Sequence, residues 1–312
     1  MQNRHHLDLT WLEDCVALSE SLNFSKAAAG RYVTQPAFSR RIQSLEEWAG
    51  TPLFERTRRG VHLTRAGELF CKQVPDLIRA LYALRSETLD LAGQGVPEVV
   101  FSATHALSFT FFPAWLRKNE KIARFGAFQL LSDTMRACER MLNQGETQFL
   151  LCHYHPQMQL NLDMARYFSV RVGTDWLRPY ASAVPGDEGE AAKPRWSVEN
   201  KKPFPLLSYS KESGLGRIVA NTASVNRRKR GMEVVFTSDL AATLQVMARS
   251  GDGVAWLPES LAALEVSNGT LCPAASEQSD LCIPVEIRLY RPAGKLSRAA
   301  EELWTIFVED RL

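Results

Sequence analysis

The stretch from Phe24 to Arg65 constrains this chain most, because its caps, breaks and charges leave few ways for it to fold. Ser25 can cap a helix through Ala27, Ala28 and Ala29, whose small side chains let another helix pack closely. A break near Tyr32-Val33 leads to Thr34, a second N-cap candidate, followed by Pro36 where a missing N–H costs nothing. From Gln35 the spacing predicts a second helix with Phe38, Ile42 and Leu45 on one apolar face. Gln35 with Ser39, and Pro36 with Arg40, stand four residues apart and form ridges that face away from that core. Leu53 to Thr64 then sets apolar anchors on both sides of an arginine-rich tip holding Arg56, Arg58 and Arg59. A helix fit for a major groove beside a basic hairpin for backbone or minor groove predicts a winged helix-turn-helix.

Thr64 can cap a long helix running from Arg65 to about Ala92. Its positions Phe70, Val74, Leu77, Leu81, Leu84, Thr88 and Leu91 alternate spacings of four and three, the pattern of a coiled-coil seam. The competing reading is a helix packed on its own domain. Pro75 predicts a kink or a restart within it. A pairing seam directly after a basic reader argues for a homodimer or homotetramer on a pseudo-palindromic double-stranded DNA site. Gly93-Gln94-Gly95-Val96-Pro97 reads as a linker. Beyond it strands and helices alternate, with strands expected near 99–103, 128–131, 148–152, 168–172, 177–183, 206–209, 232–236, 254–256 and 285–290. Helices are expected over 107–118 and 214–224, among others, and the alternation predicts mostly parallel α/β sheets.

In such sheets ligands sit beyond the carboxyl ends of strands, against helix N-termini. Four places qualify: Thr104-His105 with Ser108, Ser208 with Ser210, Thr237 with Asp239, and Gly251-Asp252-Gly253 leading to Trp256. The same hydroxyls and carboxylates could merely cap helices. No nucleophile elbow, phosphate-binding loop or strand-linked G-x-G-x-x-G is present, so no catalytic residue and no cofactor is assigned. The six cysteines are dispersed without a C-x-x-C pair, and Cys15 reads as a buried hydrophobe. Cys152, His153 and His155 crowd together, but no further cluster completes a metal site.

With a net charge of +2, the 312-residue chain is not a general nucleic-acid binder. Its basic residues are gathered at Arg40-Arg41, Arg56 to Arg59 and Arg227 to Arg230, the last reading as a solvated loop or a contact with DNA or a neighbouring subunit. No apolar run reaches the roughly 20 residues of a membrane span, and a cytoplasmic location is expected.

These motifs resemble a known family. Phe24-Ser25-Lys26-Ala27-Ala28-Ala29, Gln35-Pro36-Ala37-Phe38-Ser39-Arg40-Arg41-Ile42, Pro52-Leu53-Phe54-Glu55-Arg56 and Leu63-Thr64-Arg65-Ala66-Gly67 resemble the DNA-binding domain of LysR-type transcriptional regulators. The resemblance implies a winged helix-turn-helix over 1–66, a linker and dimerisation helix with hinge over 67–96, and an effector domain over 97–312. That last domain would be two-lobed and periplasmic-binding-protein-like, with one lobe about 97–180 and 276–312 and the other about 181–275. Gln35, Pro36, Ser39 and Arg40, with Arg41 beside them, would contact DNA from the recognition helix, and Arg56 with Arg58 from the wing. Thr104, His105, Ser108, Ser208, Ser210, Thr237, Asp239 and Trp256 would hold a small-molecule effector or meet an oxidant between the lobes.

Within that family, Ala103 to Ser108, Phe204 to Ser210 and Gly253 to Glu259 are similar to the hypochlorite-responsive regulators, although Leu215 and Leu240 stand where that subgroup is expected to carry methionine. The alternative from outside the family is a small-molecule-binding protein or enzyme with an assembly domain.

Overall fold

Local side-chain chemistry sets each element of the N-terminal part. In the computed structural model, which describes residues 6–57, 60–92, 99–118, 127–186, 192–199, 202–228 and 231–309, α1 (Leu9–Ser21) opens on Asp8, whose carboxylate accepts from Thr10 N at 2.9 Å. Asn23, rather than the expected Ser25, caps α2 (Phe24–Gly30) by accepting from Lys26 N. Starting the helix at Phe24 lets that ring meet Phe38 edge-on at 6.1 Å. Tyr32 takes the left-handed conformation (φ 55) at the break, and α3 (Gln35–Ala49) follows, ending at Gly50 with φ 72. Thr34 holds the N-cap position without a side-chain bond. Phe38, Ile42 and Leu45 are buried, as the spacing predicts.

Glu46, near the end of α3, accepts from the backbone N–H groups of both Leu53 and Phe54, at 2.8 and 2.9 Å. Those bonds fix where the wing begins: β1 (Phe54–Thr57) pairs antiparallel with β2 (Gly60–Leu63). Thr64 then accepts from Gly67 N at the head of α4 (Arg65–Leu91). A Cβ on Gly67 would lie 1.9 Å from the Leu53 carbonyl oxygen, so only glycine permits this close approach.

The α4 helix is unbroken, and the restart expected at Pro75 does not occur. Burial of Val74 and Ile78 around it holds the turn against the core despite the lost backbone bond. The expected seam also divides. Val74 is buried and Phe70 packs on the same core, whereas Leu77, Leu81, Leu84 and Leu91 are exposed.

The chain separates into two units, 1–95 with 143–146 and 96–142 with 147–312. In the second, β3 (Val99–Thr104) lies parallel to β4 (Phe128–Asp133) and β5 (Phe149–Tyr154). Between β3 and β4 the expected helix over 107–118 is two, α5 (His105–Thr110) and α6 (Phe112–Lys118), while α7 (Met135–Gln144) follows β4.

The strands expected at 168–172 and 177–183 are one 18-residue strand, β6 (Tyr167–Val184). Gly173 to Trp176 would suit a turn by composition, yet β12 (Ile283–Pro292) pairs straight through them. Leu177 is the last residue of β6 paired with β12, and from there β6 pairs with β10 (Ala255–Pro258), β11 (Leu271–Pro273) and the short β7 (Lys193–Pro194). All these pairings, and that of β12 with β5, are antiparallel, so the expectation of mostly parallel sheets holds only for β3–β5 and for β8 (Phe204–Tyr209) with β9 (Met232–Ser238).

The two halves of β6 thus serve two lobes. In one, Phe101 stacks on Phe149 at 5.1 Å, with Phe307 of α12 (Arg298–Glu309) completing the cluster. The other is built on β8 and β9 with α8 (Gly214–Asn221), α9 (Ala223–Arg228), α10 (Ala241–Ser250) and α11 (Glu259–Ser267). The helix expected over 214–224 breaks at Thr222, whose hydroxyl donates to the Ile218 carbonyl and closes α8.

Candidate nucleic-acid interface and ligand cleft

On α3 the apolar face is spent on the core, which leaves Gln35, Pro36 and Arg40 exposed and Ser39 half-buried. Arg56 of β1 reaches over this ridge. Its guanidinium lies 3.9 Å from the Phe24 ring centroid and donates to Ser39 Oγ at 3.2 Å. An aromatic face and a hydroxyl therefore hold the wing arginine beside the ridge, with little side-chain freedom left to lose on binding. Arg41 is engaged differently: it donates to the buried carboxylate of Asp14 at 3.3 Å. Arg31 donates to the same carboxylate at 2.8 Å and to Glu13, which also accepts from Tyr82 of α4. This network ties α1, α2, α3 and α4 behind the reading surface. Arg58 lies outside the described residues.

In the second unit, the carboxyl ends of the first lobe's strands face helix starts of the other. Thr104 and His105 lie at the β3–α5 junction, Asp133, Thr134 and Met135 at the β4–α7 junction, and His153 near the end of β5. Ser213, Gly214 and Leu215 at the head of α8, with Asp239 and Ala241 at α10, complete a cleft of about 380 Å³ including its mouth. Ser213 caps α8 through Gly216 N, and Thr134 accepts from Ala137 N in α7. Free N–H groups at such ends favour negative charge, which Asp133 and Asp239 partly offset.

Thr104 Oγ1 and both ring nitrogens of His153 are buried there without a hydrogen-bond partner, and His153 is only 3% exposed. Unpaired groups of this kind are costly unless a ligand or water completes them. His153 Nε2 stands 3.7 Å from Asp175 Oδ2, beyond hydrogen-bond range. Burial pushes the Asp175 carboxyl up, but His153, Ser260 Oγ at 2.6 Å and Trp176 N outweigh it and hold it below its ordinary value. Behind the cleft, Glu139 of α7, 1% exposed, accepts from Arg217 of α8 at 2.8 and 2.9 Å and from the Asn161 backbone and side chain. That carboxylate fastens the two walls together.

Of the effector residues expected from sequence, the cleft gathers Thr104, His105 and Asp239. Ser108 instead donates to the His105 carbonyl and accepts from Ser132, which also meets His105 Nδ1 at 3.1 Å. Ser208 and Trp256 line a separate, larger cavity of about 950 Å³ including its mouth in the second lobe, with Tyr209, Val219, Val225 and Met232. Trp256 is core: its indole N–H donates to the Leu281 carbonyl, and its own carbonyl accepts from Tyr209. Ser210 accepts from Glu212 N, and Thr237 stands exposed on β9. Gly251 closes α10 with φ 89, and Gly253 presses on the Pro205 carbonyl.

Sequence reasoning missed Asp133, Thr134, Met135, His153 and Ser213. The strand-end rule applied to β4 would have found the first three, and a histidine closing the apolar run Phe149 to Cys152 marked the fourth.

Among the described residues no group of three or more His, Cys, Asp or Glu could hold a metal, and no helix is long and apolar enough to cross a membrane. In the basic run, Arg227 pairs with Asp280 at 2.8 Å, and Lys229 and Arg230 lie outside the described residues.

Comparison with known proteins follows the same division. Residues 9–68 match the bacterial regulatory helix-turn-helix protein model of the lysR family, and residues 92–311 match the LysR substrate binding domain. The HTH-type transcriptional regulator YjiE of Escherichia coli (strain K12) is 28% identical over 304 residues, spanning 96% of this chain and 94% of that protein. Full-length HypT from Salmonella typhimurium, a hypochlorite-specific LysR-type transcriptional regulator, is similar with a TM-score of 0.56 at 28% identity, covering 99% of this chain and 100% of that one. DarR of Vibrio fischeri, solved in complex with DNA, gives 0.54 at 27% identity, covering 97% and 98%. With a winged reader at one end, a two-lobed ligand domain at the other and family matches across both, this chain belongs to the LysR family of DNA-binding transcriptional regulators.

Proposed function

We propose that Gln35, Pro36, Ser39 and Arg40 read base edges and backbone in the major groove, with Arg56 and Arg58 of the wing on the adjacent backbone or minor groove. The observation that carries this is the clamped Arg56, held by Phe24 and Ser39 beside an exposed ridge that no core packing uses. Arg41 supports the surface from behind through Asp14. The working divisions are 1–66 for the reader, 67–96 for the linker helix and hinge, and 97–312 for the effector domain. The exposed leucines of α4 pair two copies, as a homodimer or as half of a homotetramer, on a pseudo-palindromic promoter site in the cytoplasm. The chain acts as a switch and not as an enzyme.

The signal enters at the cleft between Thr104, His105, Thr134, His153 and Ser213. A hydroxyl and an imidazole without hydrogen-bond partners, in a cleft also lined by helix starts, suit a small polar or anionic species. DarR, bound to DNA in its crystal structure, supports the reading surface, and the hypochlorite-specific HypT supports an oxidant as the kind of signal. A direct oxidant response has its own observation, since the buried Met135 lines the cleft and packs against Gly214, where sulfoxide formation would force a polar group into a tight contact.

A salt-controlled gel shift on a genomic fragment bound by the wild-type protein tests the reading surface. Arg40→Ala is expected to cost about 1–3 kcal/mol at that site. Unchanged binding would remove Arg40 from the surface.

A further inference from the structure

Cys15 of α1 and Cys71 of α4 are 56 residues apart in sequence, yet their sulfurs lie 3.4 Å from each other within the N-terminal unit. Cys15 is fully buried, and Cys71 is partly buried. Both are free thiols, and each sits on a different helix of the same packed core. Two sulfurs at this separation need to close by only about 1.4 Å to reach a disulfide bond length near 2.0 Å.

From this juxtaposition we infer that Cys15 and Cys71 form a reversible dithiol–disulfide pair that a two-electron oxidant of the hypohalous acid class converts into a cross-link between α1 and α4. The asymmetry of the pair assigns the roles. Cys71 is reachable from solvent, and its contacts with Cys15 and Ser19 draw its thiol below the ordinary value against the effect of burial, which favours the reactive thiolate. Cys15, pushed upward by its contact with Cys71 and by burial, stays a thiol and resolves.

In the first step the Cys71 thiolate attacks the chlorine of hypochlorous acid, giving a sulfenyl chloride and hydroxide. Cys15 sulfur then attacks Cys71 sulfur; the S–S bond forms, chloride leaves, and the Cys15 proton neutralises the hydroxide to water. The two sulfurs together lose two electrons, and the chlorine gains them. A thiol reductant reverses the reaction by exchange.

The bond would join α1, which carries the Glu13 and Asp14 contacts to Arg31 and Arg41 behind the reading surface, to α4, which carries the exposed pairing leucines. It therefore acts on the reader directly, without the cleft, and stands or falls separately from the DNA-reading assignment. Wild-type full-length protein treated with stoichiometric hypochlorite is then alkylated and mapped by peptide mass spectrometry. The expected product is one cross-linked peptide pair containing Cys15 and Cys71, lost on reduction, with a severalfold, reductant-reversible change in affinity for a bound genomic fragment.

Cys71→Ser, at the partly buried position, should bind the reduced wild-type's fragment equally well and show no reversible change of affinity after oxidant. If the two cysteines stay alkylatable while other residues oxidise, or Cys71→Ser responds as wild type does, the inference is overturned. Reduced-state DNA binding by both proteins reports on the reading surface independently of either outcome.

Discussion

At the scale of single residues, buried charge is what this protein places most carefully. Asp14, Glu139 and Asp175 are all buried, and each carboxylate is answered by donors from another part of the chain. Asp175 gives a test with a definite sign. Its folded-state carboxyl lies below its ordinary value, so the stability it contributes is present above the unfolded value of roughly 3.9 and lost as pH falls through the folded one. Asp175→Asn should cost about 1–3 kcal/mol at neutral pH, because Ser260 and the Trp176 N–H lose a charged acceptor. Urea unfolding at neutral pH should show that difference, and the gap should narrow when the titration is repeated in acid. A gap that widens in acid would contradict the assignment.

At the scale of elements, α4 has two faces with different work. Phe70, Val74 and Ile78 fasten it to the reader's core, while Leu77, Leu81, Leu84 and Leu91 are left for a partner. Leu84→Glu should leave the unit folded and move the protein toward monomer in analytical ultracentrifugation, weakening binding to paired half-sites. Retention of the wild-type mass would show that another surface assembles it.

The elements also show what the residues disclosed in advance. The helix-turn-helix was legible because caps, small residues and Phe38, Ile42 and Leu45 all agree locally. The seam was only half legible, since heptad spacing does not distinguish a partner helix from the helix's own domain. The length of β6 was hidden because Gly173 to Trp176 stay extended only through long-range pairing with β12. The cleft was legible where strand ends could be located, at Thr104, His105 and Asp239. It was opaque at Ser213, which joins the cleft only through the fold.

At the scale of the whole molecule, two kinds of chemistry are housed in two units: an exposed polar ridge with a clamped arginine, and a cleft with unpaired buried polar groups. A LysR-type regulator needs both, one to choose DNA and one to take a signal. Whether paired copies read two related half-sites is seen most plainly in nuclease footprinting of the full-length protein on fragments it selects from genomic DNA. Two inverted half-sites should be protected, their centres separated by whole helical turns of about 10–10.5 base pairs, and both should be lost together in Arg40→Ala. Protection without such symmetry, or an identical footprint from Arg40→Ala, would contradict paired reading.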